Sequence, residues 1–253
     1  MRRLENWLML VVAALAVFVG LSVAHAPRGL NASPDLGEQS AIAQDIAARK
    51  IERNSDPPPA PATTDDVIAK MAAAPGGYLA DILDEQHNQL VRWPESDRKP
   101  LRVWVQAPTG LRDWDAADMQ MARAAISDWQ DNRVPIRFDF IADSASAEIR
   151  LQWADRFPAS LGHRVGTTAL TYDEYGWIAG AQINVTLHDS LGVVIPSAAL
   201  AGIIRHEVGH ALGLGHSRDP RTKMYPVEST PDIQPADRVT LGMLYTLPPG
   251  PVR

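Results

Sequence analysis

The sequence predicts an α+β domain over residues 98–253, with about five strands, a motif-bearing helix and a C-terminal helix. Three observations predict it. Short apolar runs from Leu101 to Leu187 alternate with polar residues, the period of a strand. Two stretches, 116–129 and 197–212, switch to the three- and four-residue spacing of a helix. The resulting order is strand, helix, four strands, helix, helix, and its strand–helix–strand opening suits a right-handed parallel crossover.

Leu101, Val103 and Val105 alternate with Arg102, Trp104 and Gln106 in the first strand. Asp115 can cap the next helix with Asp118 in its first turn, and Met119, Ala122, Ile126 and Trp129 form its apolar face. After Pro135, Ile136, Phe138 and Phe140 face one way in a second strand, and Ile149, Leu151 and Trp153 mark a third. Gly166–Tyr172 is the fourth strand, the turn-like Asp173-Glu174-Tyr175-Gly176 follows it, and Ile183, Val185 and Leu187 belong to the fifth. A helix covers about Ser197 to Leu212, and Pro235 opens a last one ending near Tyr245. Charges along the strands predict a sheet with one face fully covered.

Ser197 to His216 reads SAALAGIIRHEVGHALGLGH. Four residues is just over one helical turn, so His206 and His210 share a face with converging imidazoles. Gly213 can adopt the left-handed conformation that ends a helix, which turns His216 toward the same point. Three neutral imidazoles leave a tetrahedral zinc one open position, the mark of a catalytic site, where bound water has a pKa of roughly 7. Glu207 adjoins the metal face without being a ligand, placed to take a proton from water and return it to a leaving nitrogen. A structural zinc would want a fourth protein ligand, and Ser217 follows His216. The apolar residues of this helix would be core in any buried helix.

The motif His206-Glu207-x-x-His210-x-x-Gly213-x-x-His216 resembles that of the metzincin zinc peptidases. Ser217 after the third histidine, and Thr222-Lys223-Met224-Tyr225-Pro226 in place of a Met-turn, resemble the matrixin branch, the matrix-metalloproteinase-like group. The resemblance spans about residues 98 to 253 and implies a twisted, mostly parallel sheet of about five strands in a zinc endopeptidase acting on peptides or proteins. It implies one catalytic zinc at a cleft floor, Met224 packed beneath the ligands, and an extended substrate paired with the edge strand within Gly166–Thr171. It also implies a pocket walled by the motif helix and the segment Pro226 to Pro231, with Tyr225, Pro226 and Val227 as its residues. Tyr225 directly follows the methionine, one residue earlier than a metal-binding tyrosine of the wider group, and is not expected to be a ligand. Only His163 and His188 lie in the region of the family's second, structural zinc, so none is expected. Asp173, Glu174 and Gly176 could form a calcium loop, but a solvated acidic turn is the expectation. Two other readings keep the motif: a non-catalytic zinc-binding or adhesion module, and a processing protease dedicated to one partner.

Composition narrows the surroundings. The chain has 253 residues, 45% hydrophobic and 21% charged, with net charge −6 and no cysteine. That excludes disulfides, thiolate metal sites and a thiolate cap on the zinc, and no basic run points to nucleic acid. Arg2 and Arg3 precede an apolar stretch ending at Ala24-His25-Ala26, so residues 1–26 read as a signal peptide or an uncleaved anchor over residues 7–26. Either puts the rest outside the cytoplasm, secreted or membrane-anchored, and a monomer is expected. Nine of the 20 prolines lie between Pro27 and Pro100, and residues 27–97 read as a linker with transient helices, about Glu38–Glu52 and Thr64–Ala73, or as an inhibitory pro-segment.

Overall fold

The computed structural model describes residues 57–94, 99–107, 110–130, 136–227 and 230–253. The leader and the helix expected over Glu38–Glu52 lie outside the described residues. Thr64–Ala73 (α1) and Leu79–Glu85 (α2) come first, then the short Gln89–Leu90 (β1). Leu101–Val105 (β2), Ala116–Ser127 (α3) and Phe138–Phe140 (β3) form the strand–helix–strand unit. Ile149–Ala154 (β4), Gly166–Tyr172 (β5) and Ile178–Thr186 (β6) follow. The motif helix is Ser197–Ala211 (α4), the C-terminal helix Pro235–Leu244 (α5), and Gly250–Pro251 is β7.

Five strands lie in the order β3-β2-β4-β6-β5. Every neighbouring pair is parallel except β5, which runs antiparallel to β6 at one edge. The mostly parallel sheet with a motif helix and a C-terminal helix is therefore what forms. Asp115 caps α3 as its sequence position demands: its carboxylate accepts from Ala117 N at 2.5 Å, and Asp118 accepts from Asp115 N at 3.0 Å. The expectation of one open face needs correction at the centre of the sheet. Strand β2 alternates buried and half-buried residues, but β4 and β6 also bury Arg150 and Gln182. Each finds partners inside, Arg150 Nε donating to Ser144 O at 2.7 Å and Gln182 Nε2 to Gln152 Oε1 at 3.2 Å.

The helix expected over Thr64–Ala73 forms, but residues 62–93 are packed against the core in place of the linker with transient helices expected there. Leu79, Ile82, Leu83, Leu90 and Trp93 are all buried in the main core. Leu79, Ile82 and Leu83 stand at i, i+3 and i+4, one apolar stripe on a seven-residue helix. So short a helix is not stable alone, and its order comes from packing. Thr63 and Asp66 form a capping box at the start of α1. Strand β1 pairs antiparallel with β7, while Thr64 N donates to Arg253 O at 2.8 Å and Arg253 N to Ala62 O at 3.0 Å. Residues 62–93 are thus part of the same packed unit as the sheet.

Candidate metal centre

Helix α4 crosses the core with Leu200, Ile203, Ile204, Val208 and Ala211 buried. Gly209 leaves no room for a side chain, because Met224 and Trp129 press against it. The helix ends at Gly213, whose φ of +99° is closed to most L side chains and whose missing Cβ would strike Val91 O. The last carbonyls of a helix need partners from outside it. Here Trp93 Nε1 donates to Ala211 O at 2.8 Å and Tyr245 OH to Leu212 O at 3.0 Å.

That turn brings His216 to His206 and His210, and one nitrogen of each ring lies within 4.8 Å of the others. His206 Nδ1 is 2.9 Å from Lys223 O, and His210 Nδ1 is 2.8 Å from Leu214 O. A carbonyl only accepts, so both Nδ1 atoms carry the proton and both Nε2 atoms carry a lone pair. These two Nε2 atoms are 3.1 Å apart. Facing lone pairs repel unless a cation lies between them, and zinc–nitrogen bonds of about 2.0–2.1 Å set tetrahedral ligands about 3.3 Å apart. The donor set fits a metal. Burial pushes the His206 imidazole down to about 4 and His210 well below its ordinary value, which keeps both neutral.

Glu207 is 6% exposed, with its carboxylate aimed at β5. Thr168 Oγ1 donates to Glu207 Oε2 at 2.6 Å, and a Cβ at Gly166 would lie 2.6 Å from Glu207 Oε1. Met224 is fully buried, and its carbonyl accepts from Ser217 N at 2.9 Å. Buried Asp237 fixes this turn, accepting from Lys223 N at 2.9 Å, Met224 N at 3.3 Å, Gln234 N at 2.7 Å and Tyr78 OH at 2.9 Å. Tyr225 and Pro226 line an open pocket of 430 Å³ beside His216. Val227 is 55% exposed and is not among that pocket's walls, and part of the segment Pro226 to Pro231 lies outside the described residues.

Sequence reasoning missed three contributors. Glu85, at the end of α2, accepts from His216 N and pairs with His216 Nδ1, both at 2.5 Å. Burial alone would raise the Glu85 carboxyl, but its hydrogen bonds to His216 and the nearby imidazoles hold it below its ordinary value. Asp81, one turn earlier, accepts from Arg218 N at 2.9 Å. The third contributor is Thr168. No spacing rule links any of these to the motif, since their partners lie 131, 137 and 39 residues away.

Of the other residues singled out, His188 is buried between Asp113 and Asp155, its Nε2 3.0 Å from Asp113 Oδ2 and its Nδ1 2.9 Å from Asp155 Oδ1. His163 Nδ1 lies 2.7 Å from Ser190 Oγ. Asp173 accepts from Tyr175 N at 2.9 Å and Trp177 N at 3.0 Å, so its carboxylate closes the turn expected there.

A family model, matrixin, matches residues 102–246. No curated protein sequence matches the chain. Among solved structures, a crystal structure of myroilysin is similar at 12% identity and TM-score 0.41, covering 61% of this chain and 85% of that one. A second myroilysin structure gives 12% identity and TM-score 0.40, with 61% and 82% covered.

Proposed function

Since this chain belongs to the matrixin family of zinc metallopeptidases, we propose that it is an exported endopeptidase in which Glu207 is the general base and acid. The single observation that carries the assignment is the position of Glu207. It is next in sequence to a metal-facing histidine, is nearly buried, and has a hydroxyl holding one oxygen of its carboxylate.

The residues that would hold zinc are His206, His210 and His216. Zinc, when bound, polarises the scissile carbonyl and makes water a better acid. The chain's own residues do the rest. His206 and His210 are held neutral by burial and aimed by the carbonyls of Lys223 and Leu214, so their lone pairs are ready for a cation. Glu207 accepts the proton of the attacking water and delivers it to the leaving nitrogen. Thr168 keeps the carboxylate from turning away. Met224 packs against Gly209, next to His210, and Gly213 makes the turn that leads to His216. The outer edge of β5 offers backbone groups to an extended peptide, and Tyr225 and Pro226 line the pocket beside His216.

The exported location rests on Arg2, Arg3, the apolar stretch and Ala24-His25-Ala26. The test is Glu207→Gln. The variant is expected to keep one zinc per chain and lose most chelator-sensitive cleavage of an unfolded casein-type protein. Undiminished turnover with full zinc would end the proposal.

A further inference from the structure

We infer that Glu85 is a positioning residue for the metal centre: it seats the third ligand, His216, and sets the affinity for zinc. The inference rests on the reading of His206, His210 and His216 as the metal ligands. Glu85 belongs to α2, ahead of the matched region 102–246, so nothing in the family motif assigns it a role.

The carboxylate makes two bonds with one residue. One oxygen accepts from the backbone N–H of His216, and the other meets Nδ1 of the same ring, each at 2.5 Å. Together they fix both the chain direction and the ring orientation at residue 216. The other two ligands have their Nδ1 atoms held by main-chain carbonyls of Lys223 and Leu214. His216 is the ligand that leaves the helix, and its ring is held by a carboxylate. A carboxylate behind an imidazole fixes its tautomer and makes the far nitrogen a stronger donor.

The turn is shaped to admit this group. A Cβ at Gly215 would lie 2.5 Å from Glu85 Oε2, and one at Gly213 would strike the carbonyl of Val91. Both glycines of the Gly213-Leu214-Gly215 turn therefore give their space to the upstream segment. One helical turn before Glu85, Asp81 accepts from Arg218 N at 2.9 Å, so α2 grips the loop on both sides of Ser217. Leu79, Ile82 and Leu83 anchor the helix in the core, so the carboxylate projects from a rigid base.

Zinc affinity of the full chain, measured by competition with a chromogenic chelator and without substrate, tests this. Glu85→Gln keeps the shape but has one acceptor oxygen for two donors, and is expected to weaken zinc binding about 10- to 100-fold. Asp84→Asn removes the same charge from the neighbouring residue, which faces Arg218, and is expected to stay within about threefold of the parent. Gly215→Ala, which drives a methyl into the carboxylate, is expected to reproduce the loss of Glu85→Gln. Three results would overturn the inference: Glu85→Gln binding zinc within threefold of the parent, Asp84→Asn weakening it equally, or Gly215→Ala leaving it unchanged. Circular dichroism of each metal-free variant checks its fold, and Gly215→Ala decides between the outcomes if Glu85→Gln is unfolded. A chain that binds zinc in this Glu85-dependent way and cleaves nothing would refute the peptidase proposal alone.

Discussion

Replacing Thr168 by valine removes one hydroxyl and leaves a side chain of nearly the same shape, well suited to a strand. In the parent, Thr168 Oγ1 stands 2.6 Å from Glu207 Oε2 and 3.0 Å from Glu207 O. One hydroxyl proton serves one acceptor, and the shorter, charged one takes it. A hydrogen bond to a charged group contributes about 1.5–3 kcal/mol. Spent wholly on holding the carboxylate in one orientation, that energy equals about 10- to 160-fold in kcat, at 1.36 kcal/mol per tenfold. In the proposed mode an extended substrate pairs with the backbone along the outer edge of β5, so KM is expected to stay within about twofold. Steady-state hydrolysis of an internally quenched peptide, with zinc content measured for each protein, gives both constants. Thr168→Ser restores the hydroxyl and is expected to recover kcat to within about threefold of the parent. A valine variant with parental kcat at full zinc would refute the reasoning, as would a serine variant no better than valine.

Three further outcomes are expected. Trp93→Phe orphans the Ala211 carbonyl at the end of α4 and shrinks a ring that is 1% exposed, at a cost of about 2–4 kcal/mol in urea unfolding. A loss below about 1 kcal/mol would mean that the upstream segment is not part of the cooperative unit. Asp237→Asn replaces one acceptor oxygen by an amide donor, which then faces either Lys223 N and Gln234 N or Met224 N, and is expected to lower stability by about 1–3 kcal/mol, read by the same titration. In the chelator-stripped protein, burial holds His206 at about 4, below its ordinary 6.5, so the folded state takes up that proton later than the unfolded chain. The unfolded state then binds more protons as pH falls below 6.5, and thermal stability should drop from there toward pH 4. A Tm that stays level across that window would contradict the burial argument.

Much of this architecture was legible because its signals are local. The α4 boundaries, the shared face of His206 and His210 and the turn at Gly213 follow from one helical period and one glycine. The edge strand β5 was legible from its boundaries at Gly166 and Tyr172, but not the fact that Thr168 points at Glu207. Helix α2 was hidden for physical reasons. It has seven residues, its N-cap Tyr78 makes no side-chain cap, and it follows Gly76-Gly77 in a proline-rich stretch. Gly77 reads as a breaker, yet the structure uses it for clearance, since a Cβ there would lie 2.9 Å from Thr240 Oγ1. Periodicity reaches as far as one helix or strand, whereas Glu85 and His216 meet across 131 residues.

The pairing of β1 with β7 has a consequence in time. Thr64 and Arg253 touch across 189 residues, and Gln89–Leu90 waits for Gly250–Pro251 to complete its ladder. Closing so long a loop yields no gain until both ends are present, so such contacts form late. A chain is made from its N-terminal end, and β1, which follows the helix that grips His216, pairs with residues made after all three histidines. The segment that seats His216 is therefore tied down only once Gly250–Arg253 have been made. Until then a growing chain carries all three histidines without the ladder that holds the stretch around Glu85 in place.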